Sequence, residues 1–268
     1  MTTLELHTTD SPRRPRAWSP RLSGATASRV LSQLRHDHRT VAMLLVLPSA
    51  LLGLLYLIWS EVPTAPGQPS TFDRVGLVML GVLPFVVMFL VTSIAMLRER
   101  TSGTLERLLT TPLSRPDLLL GYGAAFGLAA TGQALVTATV AVTVYDLDVA
   151  GPLGLVVLIA VVDAVLGVAL GLLASAFART EFQAVQLMPV VVLPQFFLCG
   201  LLAPRGQLPG WLQTAGDLLP LTHAVEALAE VGSSTAATGR MWADVGIVAG
   251  TAMLSLGLAA ATLRRRTS

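Results

Sequence analysis

The sequence predicts an all-α protein that crosses a membrane several times. Its 268 residues are 53% hydrophobic and only 13% charged, and the mean hydropathy is +0.68. Six apolar runs are each long enough to cross a bilayer core of about 30 Å as a helix. The basic side chains are all arginines, and nearly all of them lie between alternate runs. These three observations indicate a polytopic membrane protein of six helices, not a soluble domain.

Each predicted span is a run of apolar residues bounded by charged or turn-forming residues. The spans cover residues 40–59, 75–97, 118–144, 152–178, 185–203 and 242–263. Prolines inside several of them are tolerated in a bundle, because neighbouring helices can satisfy the backbone groups that proline leaves free. We therefore treat residues 24–268 as one six-span domain that follows a short tail.

The placement of the arginines predicts the orientation of these spans. Fifteen of the eighteen arginines fall on one side, and only Arg74, Arg205 and Arg240 fall on the other. Cytoplasmic loops carry the excess of basic residues, so both termini are expected in the cytoplasm. Prolines flank the pair Arg13-Arg14, and the first apolar run begins about 25 residues later. We therefore expect no cleaved signal peptide.

The tail has two parts with different expected behaviour. Residues 1–23 are rich in proline, serine, threonine and arginine and are expected to be disordered. Residues 26–39 can form a short amphipathic helix, with Val30 and Leu34 on one side and Arg29 and Arg35 on others. Such a helix would lie in the cytoplasmic interface with its arginines near anionic lipid. The alternative is a solvated segment that only sets the topology.

The loop between spans two and three, within "RERTSGTLERLLTTPLSRPDLLLGY" at 98–122, is unusually charged for this chain. Ser102 and Gly103 can start a helix of about two turns, in which Leu105, Leu108 and Leu109 have the spacing of one apolar stripe. The sequence Ser114-Arg115-Pro116-Asp117 then matches a capping box that opens span three. The short helix would pack either on the membrane surface and the chain's own helix ends or on a cytoplasmic partner.

This stretch resembles the cytoplasmic loop of type-2 ABC transporter permeases, in particular the bacterial daunorubicin-resistance-type efflux subunits. The resemblance continues in "ARTEFQAVQLMPVVVLPQFFLCGLLAP" at 178–204 and in "LPGWLQTAGDLLPLTHAVEAL" at 208–228. Together with the six-span layout it covers about residues 30–265. One departure is His223, where related permeases often have tyrosine.

The resemblance implies a permease in a bacterial plasma membrane that exports a hydrophobic or amphipathic substrate such as a drug, lipid or glycolipid. ATP and Mg would be bound by a separate ATPase present in two copies, and this chain would bind no cofactor. A second permease subunit, identical or not, would complete the pathway, with membrane lipid around it and no nucleic acid involved. The implied ATPase-coupling residues are Glu99, Arg100, Gly103, Thr104, Leu105, Glu106, Arg107, Leu108 and Leu109.

The segment between spans five and six is too long for a tight turn and too interrupted for a span. Its sequence shows two short amphipathic pieces, one after Pro209 and one with Leu221, Ala224, Val225 and Leu228 facing inward. The resemblance implies that these are re-entrant helices that seal the outer end of the pathway. The implied outer-gate residues are Trp211, Pro220, Thr222, His223 and Glu226.

A few polar residues lie inside or beside the spans. Asp163 at the middle of span four would either line the export path or form a hydrogen bond with Gln133 or a threonine of span three. Gln133 and Gln195 are expected to join helices, and they are the other candidates for polar pathway residues. Glu181 would either cap span five or contact the ATPase. Three glycines suit close packing of span three: Gly121, Gly123 and Gly127.

Several other classes of protein are disfavoured by what the sequence lacks. It contains no lysine, so it has no phosphate-binding P-loop, and its single cysteine, Cys199, excludes an intramolecular disulfide and a cysteine-only metal site. No metalloprotease or nucleophile-elbow motif is present, and we expect no metal site. Two alternatives stay open: a proton-coupled secondary transporter that uses Asp163, and a membrane scaffold that transports nothing.

Overall fold

The computed structural model describes residues 19–63, 68–103 and 114–262, and within these ranges the chain is helical and has no β-strand. Six of its helices are long and apolar enough to cross a membrane, which confirms the predicted fold class. In chain order the α-helices are α1 Pro20–His36, α2 His38–Trp59, α3 Thr71–Thr101, α4 Arg115–Thr143, α5 Leu153–Ala174, α6 Glu181–Leu198, α7 Gly210–Asp217, α8 Pro220–Ser233 and α9 Gly239–Thr262.

The first helix begins earlier and ends earlier than predicted. Proline at its first position is compatible with a helix start, so α1 begins at Pro20 rather than at residue 26. It ends at His36 because Asp37 caps the next helix: its carboxylate accepts hydrogen bonds from the backbone N–H and the hydroxyl of Thr40. These bonds lower the pKa of Asp37. Disorder was predicted for residues 1–23, but residues 20–23 lie in α1, because the proline at the first helical position allows the helix to begin there. Residues 1–18 lie outside the described residues.

The boundary between the fourth and fifth spans also differs from the prediction. Helix α5 ends at Ala174 and α6 begins at Glu181, whereas hydropathy extended span four to residue 178 and started span five at 185. Thr180 caps α6 by accepting a hydrogen bond from the backbone N–H of Gln183 at 3.2 Å. Apolar residues in the turn before Thr180 therefore extended the hydropathy signal past the end of the helix.

The centre of the bundle is a close contact between α3 and α5. A methyl group on Gly167 would overlap the backbone carbonyl of Phe85, and one on Gly171 would overlap the Thr92 side chain and the carbonyl of Phe89. This small-xxx-small spacing lets two helix backbones approach each other. The packing leaves 72% of the most apolar window of α3 buried but only 17% of that of α6. Helix α3 is thus the axis of the bundle and α6 lies at its periphery.

The segment between α6 and α9 folds against the start of α3. Leu221, Ala224, Val225 and Leu228 of α8 are buried, as their spacing predicted. At the other end of α8, the Val231 carbonyl accepts a hydrogen bond from the backbone N–H of Gly151 at 3.0 Å. We call residues 205–233, which contain a 3-10 turn at Arg205–Gln207, α7 and α8, the cap. The two ends of the bundle are then the cap end and the loop end, where residues 104–113 connect α3 to α4.

Candidate functional site

The predicted coupling loop is flanked by two helix termini with well-defined geometry. Helix α3 ends at Thr101 with Ser102 as its C-cap, and Gly103 follows with φ of +72°, a left-handed conformation that glycine adopts without strain. In the described residues Ser102 and Gly103 therefore terminate α3, and the rest of the helix that they were predicted to start falls outside the described residues. The predicted coupling residues from Thr104 to Leu109, with the apolar stripe, lie outside the described residues.

The other flank is the start of α4, where the predicted capping box is present. The backbone N–H of Asp117 donates to the Ser114 hydroxyl at 3.3 Å, and the backbone N–H of Ser114 donates to Asp117 Oδ2 at 3.0 Å. The Asp117 side chain is fully buried. This reciprocal pair fixes the point at which the chain enters the bundle after the loop.

Helix α1 binds the same carboxylate from the side. The backbone N–H of Ser19 donates to Asp117 Oδ1 at 2.7 Å, and the Ser23 hydroxyl donates to it at 3.3 Å. One turn further along α4, a methyl group on Gly121 would overlap the Thr26 side chain and lie 2.9 Å from the Ser23 carbonyl oxygen. Of the three glycines predicted to allow close packing, Gly121 therefore does so, and its partner is α1.

Helix α1 also binds the end of α3. The Arg29 guanidinium donates to Glu99 Oε1 at 3.1 Å and to the Tyr122 hydroxyl at 2.9 Å, and it lies 5.7 Å from the centre of the Tyr122 ring. Burial lowers the pKa of Arg29, but Tyr122 and Glu99 outweigh this effect and raise it, so Arg29 stays charged. One helix thus holds both flanks of the loop, α3 through Glu99 and α4 through Asp117.

The last turn of α3 has two further partners. Arg98 donates to both carboxylate oxygens of Glu181 in α6, at 2.7 and 3.0 Å. Arg100 donates to the backbone carbonyl of Ser175 at the end of α5. Glu181 is therefore an ion-pair partner of α3, and Thr180, not Glu181, caps α6. The end of α3 is bonded to α1, α5 and α6.

Comparison with known proteins identifies the family. The sequence model of the ABC-2 type transporter family matches residues 23–231. The chain belongs to the ABC-2 type transporter family. Its relatives include a probable multidrug ABC transporter permease, YbhR, of Escherichia coli, which is 27% identical over 164 residues. ABC transporter G family member 20 of Dictyostelium discoideum is 29% identical over 171 residues, and Nodulation protein J of Rhizobium meliloti is 29% identical over 180.

These matches cover only parts of both partners. They include 61% of this chain and 45% of the Escherichia coli permease, and 63% of this chain and 23% of the Dictyostelium protein. For the Rhizobium protein they include 63% of this chain and 64% of the relative. In each case the match spans less than two thirds of the relative, so the family and the membrane architecture are what these similarities establish.

The intramembrane polar residues of this ABC-2 chain behave differently from one another. Neither carboxylate oxygen of Asp163 has a hydrogen-bond partner in the described residues, and neither does the side-chain amide of Gln133. The expected bond from Asp163 to Gln133 or a threonine is therefore wrong. Asp163 is also fully buried, so within this single chain it lines no open path. Its surroundings include the close contact of Gly81 with Leu228 of α8.

Gln195 fits its interpretation as a residue that joins helices. Its side-chain oxygen accepts a hydrogen bond from the backbone N–H of Leu221 at 3.3 Å, while its amide donates to the Val191 carbonyl at 2.9 Å. Leu221 lies in the first turn of α8, where backbone N–H groups have no partner inside the helix. Gln195 thus connects α6 to the cap.

The predicted outer-gate residues all fall in the cap but occupy different environments. Glu226 forms ion pairs with Arg205 and with Arg240 of α9, and Arg205 also pairs with Asp217. His223 contacts Asp244 of α9. Of the remaining three, Trp211 is 72% exposed, Pro220 is the first residue of α8, and Thr222 is buried with no hydrogen-bond partner for its hydroxyl in the described residues.

Several residues that organise these sites were missed by the sequence analysis. Arg29 was assigned only to a polar face, and Arg205 and Asp244 were given no role. Their partners lie in other helices, so no local spacing identifies them. A usable signal did exist for Gly167 and Gly171, whose spacing in an apolar run is typical of close helix packing.

Proposed function

We propose that this chain is the membrane permease subunit of an ABC exporter, which moves a hydrophobic or amphipathic substrate out of the cytoplasm with ATP hydrolysed by a separate subunit. The observation that carries the proposal is the double attachment of α1, to Glu99 at the end of α3 and to Asp117 at the start of α4. An ABC-2 membrane component needs a site at which an ATPase can act. Helix α1 holds both of the helix ends that flank the charged loop of this chain.

The geometry supports transmission of movement from that loop into the bundle. A partner that displaces residues 104–113 acts on α3 and α4 together, because α1 bonds both. Helix α3 carries the movement further, since it packs backbone against backbone on α5 at Gly167 and Gly171. Tightly packed helices move as bodies instead of deforming continuously.

The proposed assembly contains two copies of the ATPase, which bind ATP and Mg, and a second permease subunit that is either identical or different. The arginine distribution supports a topology with the loop end and both termini in the cytoplasm of a bacterial cell. The cap then faces outward. Periplasmic or extracellular release of substrate would occur past the cap residues Trp211, Pro220, Thr222, His223 and Glu226.

The substrate class is proposed from the relatives and from the apolar character of the spans. One relative bears the name of a probable multidrug ABC transporter permease. A drug, lipid or glycolipid would suit a pathway built between helices whose outer faces carry leucine, valine and phenylalanine.

The proposal is tested by expressing the chain with an ABC ATPase encoded beside it and purifying the pair in lipid nanodiscs. Leu108→Glu places a charge in the predicted apolar stripe of the loop and should reduce co-purification of the ATPase at least 10-fold. Val62→Glu, at an exposed apolar residue that follows α2 outside the spans, is the matched control and should leave co-purification unchanged. Equal recovery of ATPase with Leu108→Glu and with the unsubstituted chain would remove the loop from the mechanism.

A rival function is proton-coupled transport through Asp163, favoured by the burial of that carboxyl without a partner in the described residues. A carboxyl in such a place is most stable uncharged, and Asn has nearly the same shape. If ATP drives transport, Asp163→Asn should retain most of the substrate flux into inside-out vesicles supplied with ATP. Flux that needs a proton gradient, persists without ATP and disappears in Asp163→Asn would support the rival. A scaffold that transports nothing would give no flux under either condition.

A further inference from the structure

We propose that His223 is a protonation-dependent latch that closes the turn between α7 and α8 and ties it to α9. His223 lies in the first turn of α8, and its side chain is only 14% exposed. Its Nδ1 lies 2.7 Å from Oδ1 of Asp244, and its Nε2 lies 3.0 Å from the backbone carbonyl oxygen of Asp217. One imidazole thus contacts the end of α7 and the second turn of α9.

Both of these partners are acceptors. A backbone carbonyl oxygen has no proton to donate, and an ionised carboxylate has none either. A neutral imidazole donates from one ring nitrogen only, so it can satisfy one of the two contacts. Both bonds form together when the ring is the doubly protonated imidazolium. The arrangement therefore has one more hydrogen bond, and one ion pair, in the acidic form than in the neutral form.

Loss of the proton does not weaken the two contacts equally. A hydrogen bond to a charged acceptor is about twice as strong as one between neutral groups, so the remaining proton stays on Nδ1 toward Asp244. The lone pair of Nε2 then faces the carbonyl oxygen of Asp217, and that contact becomes repulsive. Deprotonation consequently loosens the α7–α8 turn, which is then held by the ion pairs of Arg205 with Asp217 and Glu226, while α8 remains attached to α9.

Several charged groups lie close to His223 in the cap and in α9. Arg205 pairs with Asp217 and Glu226, and Arg240 of α9 pairs with Glu226. Together with Asp244 this makes three carboxylates and two guanidinium groups, so the imidazolium brings the set to neutrality. Carboxylates and arginines keep their charge between about pH 5 and 8, the interval in which histidine ordinarily titrates.

In the described residues, no charged side chain of α3, α5 or α6 bonds to His223, and Asp163 of α5 packs near Leu228, more than one turn further along α8.

The latch involves only the cap and α9, so it does not depend on whether the chain exports a substrate. The single cysteine of the chain provides a probe for it. Cys199 is 1% exposed and directly follows α6, where a methyl group on Gly216 of α7 would lie 3.2 Å from the carbonyl oxygen of Leu198. Loosening of the α7–α8 turn uncovers this junction, so the labelling rate of Cys199 reports the state of the latch.

The experiment compares labelling of the purified full chain in nanodiscs by a fluorescent maleimide between pH 5.5 and 8. Every thiol reacts faster as pH rises, so His223→Gln, which cannot titrate, gives the baseline rate at each pH. The ratio of the rates of the unsubstituted chain and His223→Gln should rise about 10-fold from pH 5.5 to 8, since one charge-assisted bond is lost. His38→Gln, at an exposed histidine outside the cap, should show the same rise as the unsubstituted chain.

A ratio that stays constant across this pH range would overturn the latch. Asp244→Asn should reduce the rise, because a neutral amide favours the imidazolium less than a carboxylate does. If His223→Gln fails to fold, the assigned ¹⁵N resonances of the His223 imidazole in the unsubstituted chain decide instead. Two protonated nitrogens at pH 5.5 and one at pH 8 support the proposal, and a single protonated nitrogen at both pH values contradicts it.

Discussion

The two ends of the bundle are both held by charged groups, but these groups join different parts of the chain. At the loop end, the bonds of Arg29 and Asp117 to other helices connect residues 70 to 98 positions apart. At the cap end, the bonds of Arg205, His223 and Glu226 connect residues 6 to 21 positions apart. The loop end therefore depends on the assembled bundle, whereas the charged groups of the cap bond mostly within the cap and to the start of α9.

This difference indicates how each end can move. Breaking a long-range bond at the loop end removes a constraint between whole helices, and the effect should reach the stability of the bundle. Breaking a short-range bond in the cap releases a local segment and leaves the packing of α3 on α5 intact. The loop end is thus suited to pass force between helices, and the cap is suited to open without unfolding the rest.

The largest effect is expected from Asp117→Ala. This change removes the acceptor for the backbone N–H groups of Ser19 and Ser114 and for the Ser23 hydroxyl. Loss of a cap together with several bonds to a buried carboxylate should cost about 2–4 kcal/mol. Thermal unfolding in detergent measures this loss. Asp148→Ala, at an exposed aspartate near the opposite end of α4, is the control and should have little effect. Equal midpoints for the two variants would contradict the role of α1 in holding α4.

The next effect is expected from Arg29→Ala. It breaks the attachment of α1 to α3 and leaves the half-buried Glu99 without its ion-pair partner. The cost should be about 2 kcal/mol, because an unpaired carboxylate remains partly desolvated. Arg35→Ala is a matched control on the same helix, since Arg35 is exposed. In the nanodisc assay, Arg29→Ala should also uncouple ATP hydrolysis from substrate addition. Normal substrate stimulation would show that attachment to α3 is structural only.

A smaller effect is expected at the cap from Glu226→Gln. Glu226 is the shared partner of Arg205 and Arg240, and its side chain is 21% exposed, so solvent screens part of the interaction. The cost should be about 1 kcal/mol and should remain local. Hydrogen exchange should accelerate in peptides of α7 and α8 and stay unchanged in α3 and α5. Glu61→Gln, at an exposed glutamate after α2, is the control. Faster exchange throughout the bundle would contradict the independence of the cap.

Local patterns in the sequence predicted the parts of this structure that local physics determines. Long apolar runs fixed the six spans, since a bilayer requires continuous helix of that length. The capping box at Ser114 and Asp117 was predicted because both partners lie within one turn. The inward face of α8 followed from helical spacing at Leu221 and Leu228.

Contacts between distant segments could not be predicted in the same way. Arg29 was expected either near anionic lipid headgroups or in a solvated segment, but it lies against Glu99, 70 residues away, once α1 packs beside α3. Asp163 was expected either to line the export path or to bond to Gln133 or a threonine, and in the described residues its carboxylate has no hydrogen-bond partner. His223 was predicted as a cap residue, but its two acceptors became apparent only when α7 and α9 were placed beside it.

The smallest effect is expected from Glu181→Ala, although its bidentate pair with Arg98 has good geometry at 2.7 and 3.0 Å. The two side chains are 53% and 62% exposed, so water and salt screen their attraction. Exposed pairs are usually worth less than about 1 kcal/mol, and we expect a loss below about 0.5 kcal/mol that vanishes in 0.5 M salt. A larger, salt-independent loss in thermal unfolding would mean that α6 is held to the loop end as firmly as α1. In that case α6, the span with the smallest buried share, would also transmit force between helices at the loop end.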